Sequence, residues 1–378
     1  MNITEKYARI NLACNYYLSG RNFLLLLEKY KSAEAIIKHY TEFSQPNFIT
    51  KKQKENPFEK IKLDEVVVFG EDFYPQSLIH IPDPPIALFT KGNLVEINFD
   101  KTIAVVGTRK ISKYGIEVTT KLVDFLVSRG YTVVSGLAYG IDTLAHELTL
   151  ACGGQTIAVL GTDINYPYPQ VNTNLYKKII ENHGLVLSEF YFKEDYGKWV
   201  FPRRNRIIAG LCKKIIIIEA PVKSGALITA NYGFEFNREV FAVPGSINCE
   251  NSAGTNLLIK NNKAQILTSF EDLIEGEQLF FGSEMGQQTL LSETLDSPLN
   301  IVSRQTGNNL VEKNLLKRAN IMEVEKGLVY GLIKQGVNSF ELLVQKCNYD
   351  INILFEILGY LELHEFIKRH EDGTYMIN

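Results

Sequence analysis

Between about residue 100 and residue 275 the chain alternates short, almost uninterrupted apolar runs with stretches of helical periodicity. The apolar runs are Ile103–Val106, Tyr131–Val134, Thr156–Leu160, Leu185–Leu187, Ile215–Ile218, Val240–Val243 and Gln265–Leu267. Helical patterns separate them at Gly115–Ser128, Ile141–Cys152, around Leu175, from Phe201 to Leu211, after Ala226 and around Leu257. A strand that is apolar at nearly every position must be covered on both faces, and strands separated by helices pair in parallel through crossovers. The pattern predicts an α/β domain with a doubly wound, mainly parallel sheet.

At 378 residues there is room for more than one domain. Residues 1–50 read as a small helical domain with a break at Ser19-Gly20, followed by a lysine-rich linker, Thr50 to Lys60. The segment from about 60 to 99 holds two more strand candidates and a proline-rich turn, and extends the sheet so that the α/β domain spans 60–275. The direction of those two strands is not fixed by the sequence. Residues 276–318 lose periodicity and read as a linker. Beyond it, 319–378 offers three short helices, Val324–Lys334, Phe340–Lys346 and Ile351–Leu363, and a hairpin turning at Asp372-Gly373, the order of a winged helix.

Composition excludes several classes. Hydrophobic residues make up 45% and charged residues 22%, ordinary globular values, and no apolar run approaches a membrane span. Five cysteines lie scattered without CxxC spacing, against a disulfide framework or a zinc site. A polar start at Met1 makes the cytoplasm the expected location. With a net charge of −3, affinity for nucleic acid has to come from a local patch.

Ligands of open α/β sheets gather beyond the carboxyl ends of the strands. The first such turn contains Gly107, Thr108, Arg109 and Ser112, a set of small, hydroxyl and guanidinium groups suited to phosphate. It is neither GxGxxG nor GxxxxGK[ST], so no dinucleotide or P-loop nucleotide is expected, and its other reading is a tight turn with Arg109 in an ion pair. The second turn offers backbone contacts at Ser135 and Gly136, with Asp142 in a structural role. The third holds Tyr166 and Tyr168 beside prolines, faces that stack bases or pack the loop, as do Trp199 and Phe201. Lys223, Ser224 and Gly225 form a fourth small-residue turn. No nucleophile stands with a partnered base, His146 reads as a lone helix-face residue, and the histidines lack metal spacing, so neither catalysis nor a cofactor is expected.

The segment Phe201–Leu211, FPRRNRIIAGL, crowds Arg203, Arg204 and Arg206 into a helix start. The positive end of a helix disfavours cations unless an anion meets them. Two readings follow: a phosphate site, or arginines paired with carboxylates such as Glu189 or Asp195. Ile207, Ile208 and Leu211 face a core.

Taken in order, VGTRKISKYG, SGLAYGID, IAVLGTDINYPYP, FPRRNRIIAGL, EAPVKSGALITA and REVFAVPGSI resemble the DNA-processing protein A (DprA/Smf) family, collinearly over roughly residues 60 to 275. The resemblance implies an extended Rossmann-like domain without a nucleotide cofactor. It also implies that the protein binds single-stranded DNA, protects incoming strands, forms a homodimer and loads the RecA recombinase during natural transformation. It places Arg109 on backbone phosphates and Arg204, Asn205 and Arg206 in the same basic pocket, with Arg203 the arginine least expected to bind. This chain departs from the family at Gln170, where many members carry a basic residue, at Ala226, where a serine is usual, and at Asn237, where a glycine is expected.

The third helix of the C-terminal domain carries Glu356 and Glu362 and no Lys or Arg, which would repel duplex phosphates, so that domain is expected to contact protein or to pack against the core instead of reading duplex DNA. Two competing readings are a nucleotide phosphoribohydrolase on a similar fold and a winged-helix transcription regulator. The first needs a PGGxGT loop where this chain has Pro244-Gly245-Ser246. The second is opposed by the acidic helix.

Overall fold

The computed structural model describes residues 1–14, 18–43, 61–191, 200–274 and 329–347, and beyond these 354, 357–358, 361–362, 367–369 and 374–377. The chain divides into two compact units, Met1–Gly286 and Gln287–Asn378.

The first unit is built on a nine-stranded sheet. Its strands are β1 Val66–Val68, β2 Ala87–Gly92, β3 Thr102–Val106, β4 Thr132–Ser135, β5 Thr156–Asp163, β6 Leu185–Phe190, β7 Lys214–Ile217, β8 Glu239–Ala242 and β9 Gln265–Ile266. They lie in the order β1-β2-β6-β5-β4-β3-β7-β8-β9. Every pair from β6 to β9 is parallel, with Ala104 opposite both Val134 and Ile215. The two strands whose direction the sequence left open, β1 and β2, are antiparallel to each other, and β2 is antiparallel to β6.

Ten helices of this unit are described: α1 Ile3–Cys14, α2 Gly20–Tyr30, α3 Ala33–Phe43, α4 Gln76–Ile79, α5 Lys113–Ser128, α6 Ile141–Ala151, α7 Thr173–Glu181, α8 Val200–Leu211, α9 Ala226–Glu235 and α10 Glu250–Lys260. Alternate residues of each strand feed opposite cores, as the pleat requires. Ala104, Val106, Val134, Val159, Ile215 and Ile217 pack with Ile207, Ile208 and Leu211 of α8, Ala230 of α9 and Leu258 of α10. Ile103, Val105, Val133 and Ile216 pack on the other side with Leu122, Val123 and Leu126 of α5 and Ala145 of α6. This is a doubly wound, Rossmann-like α/β fold. From β3 the chain winds outward to β4, β5 and β6, then α8 returns it to the opposite side of β3, so the winding reverses between β3 and β7.

The N-terminal helices meet around a buried carboxylate. Glu5 accepts the N–H of Ala33 at 2.9 Å and that of Glu34 at 3.3 Å, satisfying the start of α3, while Arg9 Nε donates to it at 2.9 Å. Ser19 caps α2 at the break read from the sequence. The stretch expected as a linker, 276–318, lies outside the described residues.

In the second unit, 329–334 is helical, α11 spans Phe340–Cys347, and β10 Ile367–Arg369 pairs antiparallel with β11 Tyr375–Ile377. Val329, Leu343, Leu354, Ile357, Leu358, Ile367 and Tyr375 form its core. The hairpin turn at Asp372-Gly373 and Glu356 of the expected third helix lie outside the described residues.

His146, read as a lone helix-face residue, is fully buried. Its Nδ1 lies 2.6 Å from Thr156 Oγ1, whose own hydrogen goes to Val133 O at 2.7 Å. Nδ1 must therefore be the protonated nitrogen, which leaves Nε2 as a buried acceptor without a partner among the described residues. Burial, with a smaller contribution from the Arg204 charge, pushes the imidazole down to about 3. Because the folded value is depressed, the neutral ring favours the fold above pH 6.5, and that stability drains away as pH falls towards 3. Urea unfolding between about pH 7 and about pH 4 should show stability falling by up to roughly 1.4 kcal/mol per pH unit from this group. His146→Leu should flatten that slope by one proton.

Candidate functional site

The first turns of α8 direct their polar side chains inward. Arg204 is only 6% exposed, and its Nη1 donates to the carbonyls of Gly136, just past β4, and Val159 in β5. Its Nε donates to Asn205 Oδ1 at 3.1 Å, and Asn205 Nδ2 donates to Gly225 O at 3.1 Å, beyond β7. One helix start thus ties together the turns after β4 and β7 and the interior of β5. Gly136 admits this arrangement, since a Cβ there would stand 2.5 Å from the Arg204 guanidinium. The N–H of Gly136 is in turn held by Asp142 Oδ2 at 3.1 Å. Burial pushes Arg204 down to about 10; Asp142 counteracts this and nearby Arg109 adds to it, so the group stays cationic at neutral pH.

Arg206 takes a different direction. It is 3% exposed, with Nε donating to Asp83 at 2.9 Å and Nη2 to Glu189 at 2.6 Å. Although burial works against its charge, Glu189 and Asp83 together hold its pKa above the ordinary arginine value. Burial raises the Asp83 carboxyl, but Arg206 and Arg203 outweigh it and keep Asp83 below the usual range. Arg203 also reaches Glu189, at 3.4 Å. Of the two readings of this helix start, carboxylate pairing describes Arg203 and Arg206; Asp195 and Trp199 lie outside the described residues.

A shallow pocket opens beside Arg204, lined by Arg109, Gly136, Ala138, Tyr139, Tyr168, Pro169 and Phe201 together with Arg204 itself. Arg109 is exposed and has no ion pair or hydrogen bond among the described residues. It is the pocket's available guanidinium. Tyr168 packs on Phe201 with ring centroids 5.5 Å apart, and Tyr139 and Tyr168 remain 47% and 51% exposed.

Of the residues read from the sequence, Arg109, Gly136, Tyr168, Phe201 and Arg204 come together in this lining. Tyr166, Gln170, Lys223 and Gly225 are exposed, and Ser224 half-buried, on turns beyond β5 and β7, outside the lining. Two hydroxyls face inward: Ser135 Oγ donates to Val105 O at 2.7 Å, and Ser112 Oγ to Glu219 at 2.5 Å. Thr108 Oγ1 accepts the Lys110 N–H at 3.2 Å, and Gly107 lies against Ile141. Ala138, Tyr139 and Pro169 join the lining although sequence reasoning assigns them no role. A signal for Tyr139 does exist, as an aromatic between two small residues after a strand.

A model of the DNA recombination-mediator protein A family matches residues 65–278, more than half of the chain. The chain belongs to that family. Among curated members, DNA processing protein DprA of Streptococcus pneumoniae is 46% identical over 204 residues, covering 54% of this chain and 71% of that one. Protein Smf of Synechocystis is 39% identical over 242 residues, 63% of this chain and 59% of its own length. The crystal structure of DNA processing protein A from Streptococcus pneumoniae superposes with a TM-score of 0.58 at 34% identity, covering 73% of this chain and 99% of that one. DNA processing protein A from Helicobacter pylori, solved to describe its single-stranded DNA binding mode, superposes at 0.50 with 28% identity, over 57% of this chain and 97% of its own.

Within this family fold, the Arg206 pair should behave as a buried ion pair. Glu189→Ala leaves the buried Arg206 charge with Asp83 alone and is expected to destabilise the protein by up to about 3 kcal/mol in thermal or urea unfolding. Arg206→Met removes the cation that Asp83 and Glu189 share and leaves both carboxylates short of a partner, so it should destabilise the protein at least as much as Glu189→Ala.

Proposed function

We propose that this chain is a single-stranded DNA-binding recombination mediator, and that the pocket between the β4 and β5 turns receives the DNA backbone. The observation that carries the reading is the exposed Arg109, unpaired among the described residues, beside the Gly136 turn and flanked by two exposed tyrosine rings. A guanidinium grips a phosphate, and flat rings accept any base, so the site suits a single strand without sequence preference. Membership of the family and likeness to the Helicobacter pylori protein support it.

Roles divide by environment. Arg109 meets phosphate, Tyr139 and Tyr168 meet bases, and Arg204 contributes its field from below while fixing the Gly136 turn, whose N–H is taken by Asp142 and so is not free for a phosphate. Gly107, Thr108, Tyr166, Gln170, Lys223, Ser224 and Gly225 frame the path along the strand ends. Ser112, Ser135, Asn205 and Arg206 act by holding the turns and α8 in place. We further infer that the protein works as a cytoplasmic homodimer, is not an enzyme, and delivers incoming strands to the RecA recombinase in natural transformation. In that scheme the helical domain 1–50 and the winged-helix domain 319–378, beyond the linker 276–318, flank the DNA-binding domain 60–275, and the winged helix contacts protein.

Binding of a fluorescent oligonucleotide over a salt series tests the pocket. Arg109→Ala should weaken binding and flatten the log–log salt slope by about 0.7. Tyr168→Ala should lose about 1 to 3 kcal/mol if it stacks one base, with the slope unchanged. An Arg109→Ala slope equal to wild type would remove the pocket from the DNA path.

A further inference from the structure

One strand away from the pocket, the reversal of winding creates a second feature. The chain leaves β3 for α5 on one face of the sheet and leaves adjacent β7 for α9 on the other, so the two loops part at the switch point. Doubly wound folds take ligands in this crevice, with a phosphate resting on the start of the first helix. Here the chain's own Glu219 occupies that position. Its Oε1 accepts the Ser112 hydroxyl at 2.5 Å and its Oε2 the Ser112 N–H at 3.1 Å.

Ser112 is the N-cap of the 16-residue α5, and its Oγ also accepts the Gly115 N–H at 3.1 Å. Glu219 is 1% exposed and pairs with no Lys, Arg or His among the described residues. A buried carboxylate without a cation is strongly disfavoured unless donors and a helix dipole meet it, and the start of α5 supplies both. The helix is shaped to admit it: a Cβ at Gly115 would stand 2.3 Å from Glu219 Oε2. The Thr108 N–H donates to Glu219 O at 2.7 Å and fixes the backbone from which the carboxylate extends.

We propose that Glu219 is a built-in anion that determines specificity by closing the phosphate cradle of the switch point to nucleotide ligands. Phosphates arriving at the strand ends are then left to the pocket at Arg109 and Gly136. The proposal stands independently of which ligand that pocket takes.

Glu219→Ala tests it with inorganic phosphate and adenosine 5′-monophosphate as probes, titrated calorimetrically against the full chain at constant ionic strength. The variant should bind at least one of the two about tenfold or more tightly than wild type. A folded variant that gains affinity for neither overturns the proposal. If Glu219→Ala is not recovered folded, refolding in formate is compared with refolding in chloride, since formate restores a carboxylate to the vacated place. Recovery in formate alone supports the built-in anion, and equal recovery in both, or recovery in neither, overturns it.

Discussion

The inward-facing first turns of α8 are the constraint on which the site depends. Strand ends in a parallel sheet leave carbonyl oxygens pointing at loops that turn away from the ladder, and buried carbonyls need donors. A guanidinium brings several donors in one plane, so Arg204 answers the carbonyls of Gly136 and Val159 from a single position. Its neighbour Asn205 extends the tie to Gly225. Two turns and the interior of a third strand are held by two adjacent residues, and the shape of the pocket follows from that restraint.

Arg206 performs a second tie of longer range. Asp83, on the connection between β1 and β2, accepts Arg206 at one oxygen and the N–H of Arg21, at the start of α2, at the other, 2.9 and 3.1 Å away. Glu189 near the end of β6 completes the set. One cation therefore links α8, the antiparallel edge of the sheet and, through Asp83, the N-terminal helices. The charges are compensated in place, so the cluster fixes geometry while projecting little field towards solvent.

The parallel sheet was legible because a short run that is apolar at every position suits a central strand covered on both faces and suits an amphipathic helix or a half-exposed strand poorly. The crossover helices showed in their periodicity, and the α8 core residues Ile207, Ile208 and Leu211 were apparent from spacing alone. The direction of β1 and β2 was not, because a short apolar strand reads the same both ways. The arginine partners were only half visible: Glu189 is 17 residues from Arg206, but Asp83 is 123 residues away and meets it only through the fold. Likewise, Ser112 and Ser135 look like phosphate ligands in sequence because a hydroxyl suits an anion as well as it suits a neighbouring carboxylate or carbonyl. Which partner it takes depends on the turn, and here both turn inward.

This division between compensated and uncompensated cations matters in a chain whose net charge is −3. Counting arginines would suggest that α8 is the main source of positive potential. In the fold, Arg203 and Arg206 are matched by Glu189 and Asp83, and Arg204 is sunk beneath Gly136 with Asp142 close to it. The uncancelled field at the pocket comes from Arg109, reinforced from below by Arg204. Exposed Lys110 and Lys113 lie next along the same turn and helix start. Electrostatic attraction at the strand ends therefore rests on the β3 turn more than on the arginine-rich helix, whose task is to present that turn's neighbours in a fixed arrangement.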